Sequence, residues 1–138
     1  MILIDTNVIL DVIQQREPHY RASAAVIDRV VRKRTLAALP AHAITTIHFL
    51  VQRYQNQTTA SQVVDWILAR FDVASVGRTE QIRARSLAWE DFEDAVVAAA
   101  AKTVQCEAIV TRNVRDFSGS PVPAFTPEEY LLDGTDRG

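Results

Sequence analysis

The chain opens on Ile2-Leu3-Ile4 and meets Asp5 at once, so three apolar residues without polar alternation run straight into a carboxylate. Such a run reads as a strand buried on both faces, the kind found in parallel sheets covered by helices on each side. The pattern returns at Ala108-Ile109-Val110, which meets Thr111-Arg112-Asn113, and Leu36 to Leu39, Phe71 to Val76 and Val122 to Phe125 offer further short strands. Stretches of helical length separate them. Asp5-Thr6-Asn7 provides capping side chains ahead of Val8-Ile9-Leu10 and Asp11. A helix from near Pro18 to about Arg34 carries the stripe Ala22, Ala25, Val26, Val30, with Arg29, Arg32, Lys33 and Arg34 in its last turns. Helices are also expected over Ala43 to Val51, continuing to Arg53 or Tyr54, from a Thr59 cap to Ala69, from Thr79 onward, and through the run Ala95 to Ala101. Thr126-Pro127-Glu128-Glu129 starts a last helix through Leu132. Helices of this length serve as crossovers between parallel strands, which predicts a three-layer α/β/α fold around a central, mainly parallel sheet.

At 138 residues, 48% of them hydrophobic, the chain suits one core, read here as a single domain over residues 1–132 with a short mobile tail at 133–138. A formal charge of -2 argues against coating nucleic acid by bulk attraction, while thirteen arginines against two lysines leave room for local phosphate contacts. No basic leader or membrane-length apolar run is visible, and Cys106 is the only cysteine, which rules out an internal disulfide. A cytoplasmic protein with no membrane association is the expectation.

Asp5 falls at the carboxyl end of the first strand, the edge where open α/β sheets place ligands. Asp94 lies near the start of the alanine-rich helix and Asp116 shortly after the Thr111-Arg112-Asn113 strand ending. If these strands are neighbours, the three acids converge, and their mutual repulsion calls for a cation. Oxygen donors of this type suit Mg²⁺ or Mn²⁺, which orient water and stabilise charge on a scissile phosphate. Asp91, one turn before Asp94, can reach a second metal through water; with Glu93 it also reads as an ordinary helix-start acid. Arg112 reads either as a phosphate clamp or as the partner of an active-site carboxylate.

Asp5-Thr6-Asn7-Val8-Ile9-Leu10-Asp11 resembles the opening motif of PIN domains, including toxin ribonucleases of the VapC type. Asp94 to Ala101 resembles the family's central acidic helix, Ala108 to Phe117 its late strand and active-site loop, and Val122 to Leu131 its final strand and helix. The resemblance covers nearly the whole chain. It implies a divalent-metal ribonuclease that often dimerises and, in toxin members, is inhibited by an antitoxin. It makes Asp5 and Asp94 metal carboxylates, lets Thr111 orient a carboxylate or water, and puts the late acidic position at Asn113, with Asp116 as a substitute or additional acid. By spacing, His48 takes the place of a glutamate ligand. Histidine brings no negative charge and binds Mg²⁺ poorly, so His48 implies either a changed metal preference or weaker catalysis. His42 and His19 are less attractive, the first near a helix start and the second facing solvent.

The leading reading is therefore a metal-dependent endoribonuclease acting on RNA, as the toxin of a toxin-antitoxin pair and as a homodimer. One alternative is a catalytically weak RNA-binding or protein-interaction module, and another a metal-dependent phosphatase or DNA nuclease. Ile47, Phe49, Val63, Trp66 and Ile67 offer either core packing or a groove for a partner.

Overall fold

A computed structural model describes residues 1–134. Strands β1 (Ile2–Ile4), β2 (Ala37–Pro40), β3 (Asp72–Ala74), β4 (Ala108–Val110) and β5 (Ala124–Phe125) form one sheet in the order β3-β2-β1-β4-β5, every pairing parallel. The connections carry α1 (Thr6–Ile13), α2 (Tyr20–Val31), α3 (Ala41–Tyr54), α4 (Gln57–Arg70), α5 (Arg78–Leu87) and α6 (Phe92–Thr103). A 3-10 turn (Val114–Phe117) precedes β5, and α7 (Pro127–Gly134) ends the described chain. Of the expected tail, 133 and 134 are helical and 135–138 lie outside the described residues. No described helix is long and apolar enough to cross a membrane.

The two-residue period of the strands divides the core. Ile2, Ile4, Ala37, Leu39, Ala108 and Val110 face one layer, packed against Val8 and Ile9 of α1, Val26 and Val30 of α2, Ile47 and Val51 of α3 and Tyr130 of α7. Leu3, Ala38 and Ile109 face the other, against Val97, Ala98 and Ala101 of α6. Each central strand is covered on both sides, which explains why its sequence shows no polar alternation. In α6 the small side chains serve two neighbours. Ala98 and Ala101 pack toward the sheet, while Ala95, Val96 and Ala99 pack against Ala84 of α5.

Several element ends differ from the sequence reading for local reasons. Asn56, not Thr59, caps α4, because its side chain accepts the Thr59 N–H at 2.7 Å. Helix α2 stops at Val31, since Lys33 takes a left-handed φ of 61° and Arg34 N–H closes back on the Arg29 carbonyl at 2.9 Å. Arg32, Lys33 and Arg34 consequently lie beyond the helix. Cys106 is buried and free.

The order of the strands determines where a ligand can sit. From β1 the chain crosses first to β2 on one side, and later returns to β4 on the other. The carboxyl ends of β1 and β4 thus border the crevice where the winding reverses.

Candidate active site

Asp5 stands at that crevice. It leaves β1 as the N-cap of α1, its Oδ1 accepting the Thr6 N–H at 2.8 Å. Across the β1/β4 boundary Thr111 donates its hydroxyl to Asp5 Oδ2 at 2.8 Å, and Asn7 donates its amide to the same oxygen at 3.4 Å. Thr111 is fully buried and its Oγ1 accepts the Asn113 N–H at 3.1 Å, so the loop after β4 is tied to the carboxylate through one hydroxyl.

The first turn of α6 supplies the other acids. Asp91 caps the helix, its side chain accepting the Asp94 N–H at 3.1 Å. Asp91, Glu93 and Asp94 each offer an oxygen within 4.8 Å of the others. The exposed amide end of the helix favours negative charge there, although it does not cancel three carboxylates. Asp5 and Asp94 line one pocket of about 370 Å³ with Asn7, Asp91, Glu93 and Asn113.

The electrostatics record the crowding. Burial raises Asp5 from the ordinary 3.8 to about 6, helped by the charge of Glu93 and opposed by hydrogen bonds from Thr111 and Thr6 and by His42. Burial also raises Asp94 to about 7, with Asp91, Asp5, Glu93 and Asp116 each pushing the same way. No hydrogen bond satisfies the Asp94 side chain among the described residues, which leaves its oxygens free for another ligand. Oxygen donors gathered in this way could hold a divalent cation.

The structure separates other expected residues from this group. His48 does not line the pocket; from α3 the pocket is lined by His42 and Thr46. The cause is helical phase: Ala43, Ile47 and Val51 are fixed in the core, and at about 100° per residue His48 points well away from the face shared by His42 and Thr46. His42 instead contacts Glu93 through Nε2 at 2.7 Å, while its Nδ1 is buried without a partner. Thr46 carries no ligand signature in the sequence, and the i, i+4 spacing of His42 and Thr46 is the one signal that puts both on the pocket face.

Asp116 sits on the 3-10 turn and lines an adjoining pocket with Asp91, near enough to raise Asp94 yet on a different wall. Asn113 does line the acidic pocket. Arg112 does not line the acidic pocket; it pairs through Nε with Asp11 at 2.8 Å, and its backbone N–H reaches Asn7 Oδ1 at 3.4 Å. Arg112 is expected from the sequence either as a phosphate clamp or as the partner of an active-site carboxylate; here its partner is Asp11, which does not line the acidic pocket. Asp11 is wholly buried, accepts the Ser23 hydroxyl at 3.2 Å, and leaves Oδ1 without a hydrogen bond. This pair, with Asp11 buried and Arg112 partly exposed, links the loop after β4 to α1.

Among known families, the model of the PIN domain matches residues 1–115. A toxin-antitoxin complex from Klebsiella pneumoniae is similar in structure, with 20% identity, a TM-score of 0.71, and coverage of 92% of this chain and 98% of that one. A VapBC structure from nontypeable Haemophilus influenzae has 14% identity and a TM-score of 0.71 over 93% of this chain and 99% of that one. A sarcin-ricin loop cleaving VapC toxin from Mycobacterium tuberculosis has 14% identity and a TM-score of 0.62 over 79% of this chain and 87% of that one. A comparison with curated proteins by sequence gave no match.

Proposed function

We propose, since this chain belongs to the PIN-domain family, that it is a divalent-metal-dependent ribonuclease hydrolysing RNA phosphodiester bonds. The observation that carries this reading is the pocket shared by Asp5 and Asp94, each holding its proton far above the usual carboxylate range because it is buried among other acids. Asp5 and Asp94 would hold a Mg²⁺ or Mn²⁺ ion, with Asp91 and Glu93 as the remaining carboxylates and Asn113 as a neutral oxygen donor. A bound ion supplies an activated water and charge neutralisation at a scissile phosphate. The protein's own part is positional. Thr111 and the Thr6 amide fix both oxygens of Asp5, Asp91 holds the first turn of α6, and the Asp11–Arg112 pair anchors the loop that carries Thr111 and Asn113.

A toxin role with an antitoxin partner extends this proposal, supported by the similar fold of a toxin-antitoxin complex from Klebsiella pneumoniae; assembly as a homodimer in the cytoplasm is proposed with it. The second reading, a catalytically weak binding module, is favoured by one feature: the pocket face of α3 presents His42 and Thr46 and no carboxylate. Purified protein incubated with structured and single-stranded RNAs, with Mg²⁺, Mn²⁺ or EDTA, separates the two. Cleavage that requires metal and vanishes in folded Asp5→Asn and Asp94→Asn variants supports the nuclease; RNA binding indifferent to metal, without cleavage, supports the module.

A further inference from the structure

The adjoining pocket, about 750 Å³, shares Asp91 with the acidic pocket but is otherwise lined by groups that the metal reading above does not use: Trp89, Glu90, Phe92, Arg115, Asp116 and Ser118. The geometry points to a base-recognition subsite that takes a guanine of single-stranded RNA beside the scissile phosphate, an assignment resting on the ribonuclease reading above.

Three features converge on this ligand. The volume lies within the roughly 300–1,000 Å³ of small-ligand pockets. Two aromatic rings border it. Trp89 is held in place by an edge-on contact with buried Phe117, ring centroids 5.7 Å apart at 83°, whereas Phe92 leaves 45% of its surface exposed immediately beside Asp91. An aromatic left uncovered next to a nucleic-acid-cleaving site is a platform for an unstacked base.

The polar groups then select among bases. Arg115 is exposed and makes no ion pair among the described residues, so its donors are available for acceptors such as guanine O6 and N7. Asp116 and Glu90 offer acceptors for the N1–H and exocyclic amino group of the same base. Uracil lacks the amino donor, and adenine lacks the O6 acceptor. The carboxylates also disfavour a phosphate in this pocket, which leaves the base as the part of a nucleotide that fits. On this account Asp116 reads the base instead of ligating the metal.

Trp89 provides a readout independent of cleavage. A Trp66→Phe background leaves it as the only tryptophan, and its fluorescence is titrated in EDTA with single-stranded UUGUUU, UUAUUU, UUCUUU and UUUUUU ribonucleotides. The guanine oligonucleotide is expected to quench at roughly tenfold lower concentration than the uracil one, the scale of one bidentate base contact. Phe92→Ala weakens binding roughly tenfold through loss of one stack. Asp116→Asn erases the guanine preference. Equal binding of all four, no quenching by any, or an unchanged guanine preference in Asp116→Asn overturns the subsite. Metal-dependent cleavage of the same set separates the two ideas: cleavage without guanine selectivity removes the subsite and keeps the ribonuclease, whereas selective quenching without cleavage does the reverse.

Discussion

Replacing Asp94 with asparagine should make the metal-free protein more stable while removing its response to metal. In the absence of a cation, burial and the charges of Asp91, Asp5, Glu93 and Asp116 raise this carboxyl from 3.8 to about 7. At about 1.4 kcal/mol per pKa unit, the ionised form would cost the fold up to ~4 kcal/mol at pH 7.5 or above. The side chain lines an open pocket, so solvent screening removes half or more of this, leaving about 1–2 kcal/mol. Asparagine keeps the shape and no hydrogen bond is lost, since the Asp94 carboxylate accepts none. For a domain of this size each kcal/mol corresponds to roughly 3–5 °C, so thermal unfolding at pH 7.5 in EDTA should rise by roughly 3–10 °C. Added Mn²⁺ should raise the melting temperature of the wild type and leave Asp94→Asn unchanged. A metal-free variant less stable than the wild type would refute the reasoning, because the acid would then be a structural partner and not a charge held in tension.

The same shifts fix a pH dependence. Both acids bind protons more tightly folded than unfolded, so their contribution to stability is fully present below about pH 4 and is lost as pH rises through about 6 and 7; urea unfolding in EDTA at fixed ionic strength should show it, with a flatter profile in Asp94→Asn. Arg112→Ala removes the partner of the wholly buried Asp11 and should cost about 1–3 kcal/mol in urea unfolding, more than loss of an exposed ion pair such as Arg32–Asp28. Ala100→Leu, at a fully buried position of α6 facing the sheet, should cost about 1–3 kcal/mol by overpacking, read by calorimetry.

The parallel sheet and its two covering layers were legible because burial on both faces leaves continuous apolar runs, as at Ile2 to Ile4 and Ala108 to Val110. Asp5 was legible for a related reason: a carboxylate directly after such a strand has few ways to be accommodated. The α3 contribution was harder to read. Its phase depends on which residues the core selects, and Ile47 adjoins His48, so a spacing argument cannot tell the buried stripe from the pocket face until Ala43, Ile47 and Val51 are fixed. Asp116 depended on the 3-10 turn anchored by buried Phe117, a loop geometry with no periodic signature. The Arg112 direction depended on Asp11, a residue a hundred positions away that only the packing of α1 brings into reach.

The central claim is that Asp5 and Asp94 hold one cation between them. Anomalous diffraction from crystals grown with Mn²⁺ tests it most directly. The account predicts a single strong peak in the acidic pocket, ~2.1 Å from a carboxylate oxygen of each residue. A peak elsewhere on the molecule, or none at saturating Mn²⁺, would contradict it.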